Sequence, residues 1–297
     1  MLVEKERLLH LSAFLTICIV WALSLVIAYD LLDTGIPPFF LVMVTYGIGA
    51  LTLLSAKVLF RSTPRIGRNE LRCGIVAGML IFGAFGLQTL GLAYTTPAKS
   101  GLLTVLYVLF VPVIISIIRS KLSSRSVLFA LIGFAGVVVM SGVVGGDASM
   151  NFGDILTIFC AVMFAMHFVT LEKYSPSLNT VNFTLVQMIT AATAAAAVSL
   201  LAENGQYSGM DLVGSWAGLA FMGLIVTGLG FFIQTAVQKK ISATTVSVMC
   251  CSESVFAMMF SWALGFDAIT FPLLAGAAMI VTSTVLSSIY EKRELIG

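Results

Sequence analysis

The chain has 297 residues, of which 59% are hydrophobic and 10% are charged, and its mean hydropathy is +1.05. A water-soluble globular domain is about 45–50% apolar and about 25% charged, so this composition excludes a soluble domain of this length. The formal net charge of +2 says little alone, and nothing in the sequence indicates nucleic-acid binding.

Hydrophobic segments of helical length follow one another from the beginning of the chain to its end. A membrane-spanning helix needs roughly 20 apolar residues, so we predict an all-α integral membrane protein with ten transmembrane helices. The first segment continues to Tyr29, which is too long for a signal peptide and predicts a retained span. The predicted spans are 9–29, 38–60, 72–93, 98–118, 126–146, 153–172, 182–202, 213–236, 243–264 and 271–290.

Basic residues gather on one side of these ten predicted spans. If the N-terminus is cytoplasmic, Lys99 is the single Lys or Arg on the outer side, where the connections carry mostly acidic residues. Cytoplasmic loops are enriched in Lys and Arg, so this asymmetry predicts that both termini are cytoplasmic. We expect the protein in the cytoplasmic membrane of a bacterium, in contact with the lipid bilayer.

A weak internal repeat relates the two halves of the chain. The segment from Gly83 to Thr89 resembles that from Gly228 to Thr235, and their Gln-Thr pairs lie 146 residues apart. Other matches have offsets near 141–146, which predicts two repeats, 1–147 with spans 1–5 and 148–297 with spans 6–10. An odd number of spans in each half would give the halves opposite orientations, an arrangement typical of transporters.

Glu253 is the most informative polar residue, because it lies about ten residues into the ninth predicted span. A carboxylate at that depth is costly, and it normally faces a cavity or a partner. Three roles fit: contact with a cationic substrate, a protonatable coupling group, or a structural hydrogen bond between helices.

Other polar groups at membrane depth must also find partners, either in a cavity or across a helix contact. His167 could titrate near neutral pH or could bridge two helices, whereas Glu172 lies near the inner end of the same span. Lys99 could bind a substrate carboxylate, pair with an acid or extend to the outer surface. The remaining candidates are the amides Gln88, Gln187 and Gln234 and the mid-span aromatic residues Trp21 and Tyr107.

Motifs of soluble enzymes are absent from the sequence, which has no Walker loop, no G-x-S-x-G and no H-E-x-x-H. We therefore expect no catalytic residues, no cofactor, no metal and no ATP-driven chemistry. The five cysteines fall in or beside apolar runs without C-x-x-C spacing, as expected for small helix residues.

Two sets of motifs carry a resemblance to a known family. The first set is Trp21-Ala22, the segment from Leu87-Gln88-Thr89 to Lys99-Ser100-Gly101, Leu106-Tyr107-Val108 and Val111-Pro112. The second set is Gly153-Asp154-Ile155-Leu156, Ala165-Met166-His167, Gln187, Gln234, Gln238-Lys239 and the segment from Glu253 to Ala257. Together they resemble the drug/metabolite transporter superfamily, EamA type, over nearly the whole chain.

This resemblance implies two inverted five-helix repeats, alternating access without ATP, and a central cavity. The cavity would be lined mainly by the first, third, fourth, sixth, eighth and ninth helices. Many members have an Arg in the second span, where this chain has Thr45-Tyr46. The implied substrate-binding residues are Trp21, Gln88, Tyr107, His167, Gln234 and Glu253, with Lys99, Gln187 and Glu172 as secondary candidates.

The leading hypothesis is a secondary active transporter of a small polar or amphipathic metabolite, either an amino acid or an organic cation. Its expected partners are the small-molecule substrate, the bilayer, a coupling proton and, as an open alternative, a second copy of the chain. Two other classes stay open: a non-transporting receptor or scaffold, and a lipid flippase or membrane enzyme.

Overall fold

A computed structural model describes residues 2–59, 63–119, 124–140, 151–263 and parts of 271–286, namely 271–272, 274–276, 278–279, 281–283 and 286. Throughout these ranges the regular structure is helical. The α-helices are α1 (Leu2–Asp33), α2 (Pro38–Leu59), α3 (Arg68–Leu92), α4 (Pro97–Thr104), α5 (Tyr107–Arg119), α6 (Ser124–Met140), α7 (Phe152–Tyr174), α8 (Thr180–Ala202), α9 (Leu212–Phe221), α10 (Gly230–Val237) and α11 (Ala243–Ala263).

Seven stretches are long and apolar enough to cross a membrane. They are Leu8–Asp33, Pro38–Leu59, Arg68–Leu92, Ser100–Ile118, Phe152–Ser177, Thr180–Ala202 and Leu212–Val237. Three shorter apolar helical stretches, Val127–Gly136, Ala243–Ala257 and Leu274–Ser283, overlap the other three predicted spans. The chain is thus an integral membrane protein, whereas ten full spans remain an expectation. The boundary predicted between the two repeats, 147–148, lies outside the described residues.

Several helices begin where polar side chains satisfy their first backbone N–H groups. At the start of α7, the Asn151 side chain accepts a bond from the Asp154 N–H, and the Asp154 carboxylate accepts one from the Asn151 N–H. The Glu203 carboxylate, which follows α8, accepts bonds from the N–H groups of Phe39 and Phe40 at the start of α2. The Asn151–Asp154 cap stays within α7, whereas the Glu203 cap ties the end of α8 to the start of α2.

Two of the predicted spans are not continuous α-helices. The fourth span is divided into α4 and α5 by a turn at residues 105–106, and Pro112 lies about two turns further on, inside α5. A proline lacks the N–H that would bond the carbonyl four residues earlier, here that of Val108, so Pro112 weakens the first turn of α5. The eighth span contains a π-helical segment, Met222–Leu229, between α9 and α10. The hydroxyl of Thr227 bonds the carbonyl oxygens of Thr45 (2.8 Å) and Gly223 (2.7 Å), which ties this segment to α2.

Close packing between helices is concentrated along α3, which lies against both α7 and α8. Other extensive contacts join α2 to α8 and to the π segment, and α1 to α11. Small residues permit these approaches, since lipid-embedded helices associate largely through tight packing. A Cβ added at Gly78 of α3 would lie 2.6 Å from the Cβ of Thr190 and 2.8 Å from the Gln187 carbonyl oxygen.

We expect Gly78→Ala to destabilise the fold by roughly 1–3 kcal/mol, because the added methyl group forces α3 and α8 apart. The matched control is Gly47→Ala in α2, where an added Cβ meets no atom within 4 Å. SDS-induced unfolding in mixed micelles measures both variants. Equal stability of the two would contradict the close α3–α8 contact.

Candidate functional site

A central cavity lies between six spans and is walled by both halves of the chain. Its walls come from α1, α3, the α4–α5 span, α7, α10 and α11, and its space, including the part open to solvent, is about 400 Å³. These are the first, third, fourth, sixth, eighth and ninth predicted spans. The lining residues are Trp21, Ser24, Leu25, Phe85, Gln88, Thr104, Tyr107, Phe164, Phe168, Phe231, Gln234, Cys250 and Glu253.

Aromatic rings make most of the apolar wall. The ring of Phe231 lies 5.4 Å from that of Trp21 and 5.7 Å from that of Phe85, between centroids. On the other side, the ring of Phe164 lies 5.1 Å from that of Phe85 and 6.3 Å from that of Tyr107. Aromatic faces carry partial negative charge, so this wall suits a planar or cationic group as well as an apolar one.

Glu253 is the one carboxylate among the described lining residues. Its side chain is partly accessible from the cavity, and no described residue forms a hydrogen bond or an ion pair with it. None of the described lining residues is a Lys or an Arg. Among the residues that the structure describes, the cavity therefore presents an acidic group without a basic group to balance it.

Several donors in the cavity wall are occupied by the protein itself. The indole Nε1–H of Trp21 donates to the carbonyl oxygen of Val226 in the π segment, over 3.2 Å. The amide Nε2 of Gln88 donates to the Thr104 hydroxyl at 2.9 Å, and Gln234 Nε2 donates to Gln238 at 3.2 Å. The Trp21 bond joins α1 to the π segment and the Gln88 bond joins α3 to α4, whereas the Gln234 bond stays within the eighth span.

His167 does not line the cavity, which departs from what the family resemblance implied. Its Nε2 lies 2.9 Å from Oε1 of Gln187, and both side chains are fully buried between α7 and α8. The edge-to-face ring of Phe231, 6.0 Å away, is also part of the cavity wall. The structure thus places His167 and Gln187 together as a helix-bridging pair outside the cavity.

Glu172 also lies outside the cavity. Its carboxylate accepts a 2.8 Å hydrogen bond from the backbone N–H of Ala243, where α11 begins. Acceptors at a helix N-terminus satisfy otherwise unpaired N–H groups, so Glu172 acts as a helix cap here. The side chain of Lys99 lies outside the described part of the chain.

Five predicted binding residues, Trp21, Gln88, Tyr107, Gln234 and Glu253, meet at this one cavity. The sequence analysis named none of the other lining residues as binding candidates. The spacing of the internal repeat would have identified most of them, because they match other lining residues in the opposite half. Lining residues 146 apart are Phe85 with Phe231, Gln88 with Gln234, Thr104 with Cys250, and Tyr107 with Glu253. Lining residues 143 apart are Trp21 with Phe164 and Leu25 with Phe168.

Comparison with protein families gives a match to the EamA-like transporter family. The match falls in two segments, residues 8–142 and 151–289, which together span most of the chain.

Similar curated proteins are named only as transporters. An uncharacterized transporter of Archaeoglobus fulgidus is 25% identical over 74% of this chain and 70% of its own length. The uncharacterized transporters YyaM and YoaV of Bacillus subtilis are 24% and 22% identical, covering 82% and 88% of this chain and 82% and 90% of their own lengths. A protein of known crystal structure is 20% identical, with a TM-score of 0.79 over 96% of this chain and 97% of that one, which shows a shared fold.

We expect Trp21→Phe to lower the free energy of unfolding by roughly 0.5–1.5 kcal/mol, the usual net value of one hydrogen bond. Phenylalanine keeps an aromatic ring in the wall but cannot donate to the Val226 carbonyl. Trp216→Phe is the matched control, because Trp216 is 67% exposed. If both variants unfold like the wild type in SDS titrations, the Trp21–Val226 bond contributes nothing to stability.

Proposed function

The chain belongs to the EamA-like transporter family, and we propose that it is a secondary active transporter of a small polar or amphipathic metabolite, either an amino acid or an organic cation. It works by alternating access across the cytoplasmic membrane of a bacterium. The observation that carries this proposal is the central cavity, whose walls come in equal measure from both halves of the chain.

Most lining residues of the first half match a lining residue of the second half. Each of six lining residues in the first half has its partner in the second half at one of two constant offsets, 143 or 146. The side chains of one such pair, Phe85 and Phe231, touch each other edge to face. Such pairing supports a pseudo-twofold axis through the cavity.

Helix contacts support the same relation. A twofold repeat relates the first span to the sixth, the second to the seventh, and so on, so each contact between two spans should have a counterpart between the two related spans. The contact of α3 with α7 then corresponds to that of the eighth span with α1. In the same way, the contact of α3 with α8 corresponds to that of the eighth span with α2, and the contact of α5 with α7 corresponds to that of α11 with α1. All of these contacts are present, and α2 with α8 is its own counterpart. With five spans in each half, the repeats are inverted, and the halves can expose the cavity to opposite sides in turn.

The lining residues have distinct roles in the proposed cycle. Glu253 attracts a positively charged group, while the paired amides of Gln88 and Gln234 offer hydrogen bonds from opposite halves. The rings of Trp21 and Phe231 pack against the apolar part of the substrate. We propose a proton as the coupling ion, because Glu253 is the one carboxylate among the described residues that line the cavity.

Cysteine accessibility tests alternating access. In a background with the native cysteines replaced, we expect Gln88→Cys and Gln234→Cys each to react with a membrane-impermeant thiol reagent from either side, in proportion to the two conformations. A substrate that shifts the conformational equilibrium should raise the labelling rate from one side of the membrane and lower it from the other.

Gln187→Cys is the matched control, because this third amide at membrane depth is fully buried away from the cavity. It should stay unreactive from both sides. Labelling of Gln88→Cys and Gln234→Cys from one side only, under all conditions, would favour a receptor or scaffold and would rule out alternating access.

A further inference from the structure

We propose that the cavity selects an organic ammonium ion, a protonated amine on an apolar body, and rejects the zwitterionic amino acid with the same body. This inference rests on the proposed function and narrows its substrate class. It follows from the charge balance of the cavity, from its hydrogen-bonding groups and from its aromatic wall.

Charge balance is the first argument. The described cavity wall contains the Glu253 carboxylate and no Lys or Arg, and Glu253 has no bonding partner among the described residues. An unpaired carboxylate in an enclosed site is costly, and a cationic occupant offsets that cost. A second carboxylate, carried by an amino acid, would meet Glu253 in the same small space, and no described wall residue supplies a cation to balance it.

Donor usage is the second argument. Two donors of the wall already donate to backbone carbonyls: Trp21 Nε1 to that of Val226 and the Ser24 hydroxyl to that of Trp21. The Thr104 hydroxyl likewise donates to the carbonyl of Ser100 at 2.7 Å. A substrate carboxylate accepts several hydrogen bonds, and here it would find these donors occupied.

Acceptors, in contrast, are left free. Within the described part of the chain, the Oε1 of Gln234 is buried without a hydrogen-bond partner, as is the hydroxyl of Tyr107, which can accept as well as donate. With the Glu253 carboxylate they form a set of oxygens around the cavity that can each receive an N–H. A buried acceptor without a partner costs free energy, so a donor-rich ammonium group fits these atoms.

The aromatic wall accommodates the rest of the ligand. Trp21, Phe85, Phe164 and Phe231 present rings around the same space, which suits both an apolar body and a cation above a ring face. Tyr107 and Glu253 occupy matching positions in the two halves, so the carboxylate lies on one side of the pseudo-twofold axis only. The Glu253 carboxylate therefore binds the ammonium group on the α11 side of the cavity, and this one-sided contact orients the ligand.

Binding of three matched ligands tests the inference. Phenethylamine, phenylalaninamide and phenylalanine share one aromatic body, and the last two have nearly the same size but differ in the carboxylate charge. Isothermal titration calorimetry on the purified full-length protein in nanodiscs should show both cations binding roughly tenfold or more tightly than phenylalanine.

Glu253→Gln should weaken binding of the two cations roughly tenfold or more, since a charge-assisted hydrogen bond becomes a neutral one. Glu172→Gln is the matched control: it removes a carboxylate outside the cavity, and its amide oxygen can still accept from the Ala243 N–H. It should bind all three ligands like the wild type. Phenylalanine binding as tightly as the cations, binding of none of the three, or unchanged cation binding in Glu253→Gln would overturn the inference.

Counterflow of the same radiolabelled ligands in proteoliposomes separates this inference from the proposed function. Uptake of phenylalanine without binding of the amines overturns the ammonium class and leaves the transporter proposal standing. Binding of the amines without counterflow of any ligand overturns transport and leaves the ammonium selectivity standing.

Discussion

The hydrocarbon core of a bilayer cannot hydrogen-bond to a protein, and this constraint decides where the polar side chains of the membrane spans can lie. The structure meets it in three ways. Glu172 and Glu203 accept hydrogen bonds from backbone N–H groups where helices begin. His167 and Gln187 pair across two helices. A third group, including Glu253 and Gln234, lies around a central cavity. Of these three groups, only the last one faces a space that a solute can enter. The way in which each polar side chain meets its hydrogen-bonding needs therefore also decides whether it can contact a solute.

The matching of lining residues between the halves separates what the cavity shares from what makes it selective. The shared features are the touching phenylalanines Phe85 and Phe231 and the amides Gln88 and Gln234. The differences include Glu253, which matches Tyr107, and Phe164, which matches Trp21. In the proposed cycle, the matched pairs permit two equivalent conformations, whereas the unequal pairs select the orientation and the charge of the solute.

Composition and hydrophobic segment lengths were sufficient to predict a helical membrane protein, and the repeat offset already linked Gln88 to Gln234. The side of each helix that faces the cavity was harder to predict. His167 and Phe164 are three residues apart on α7, and sequence periodicity in a uniformly apolar helix does not tell which of them reaches the cavity. The division of the fourth span at residues 105–106 and the π segment depend on local backbone bonds that hydropathy does not register.

The π segment at Met222–Leu229 sets the rotation of everything that follows it in the eighth span. A π turn holds more residues than an α turn, and one additional residue turns the downstream helix by about 100° relative to an uninterrupted α-helix. With α geometry throughout, Phe231 and Gln234 would point along a different side of the span. The wider turn is held by Thr227 against α2 and by Trp21 from α1, and it thus acts as a fixed angular offset that directs Phe231 and Gln234 toward the cavity.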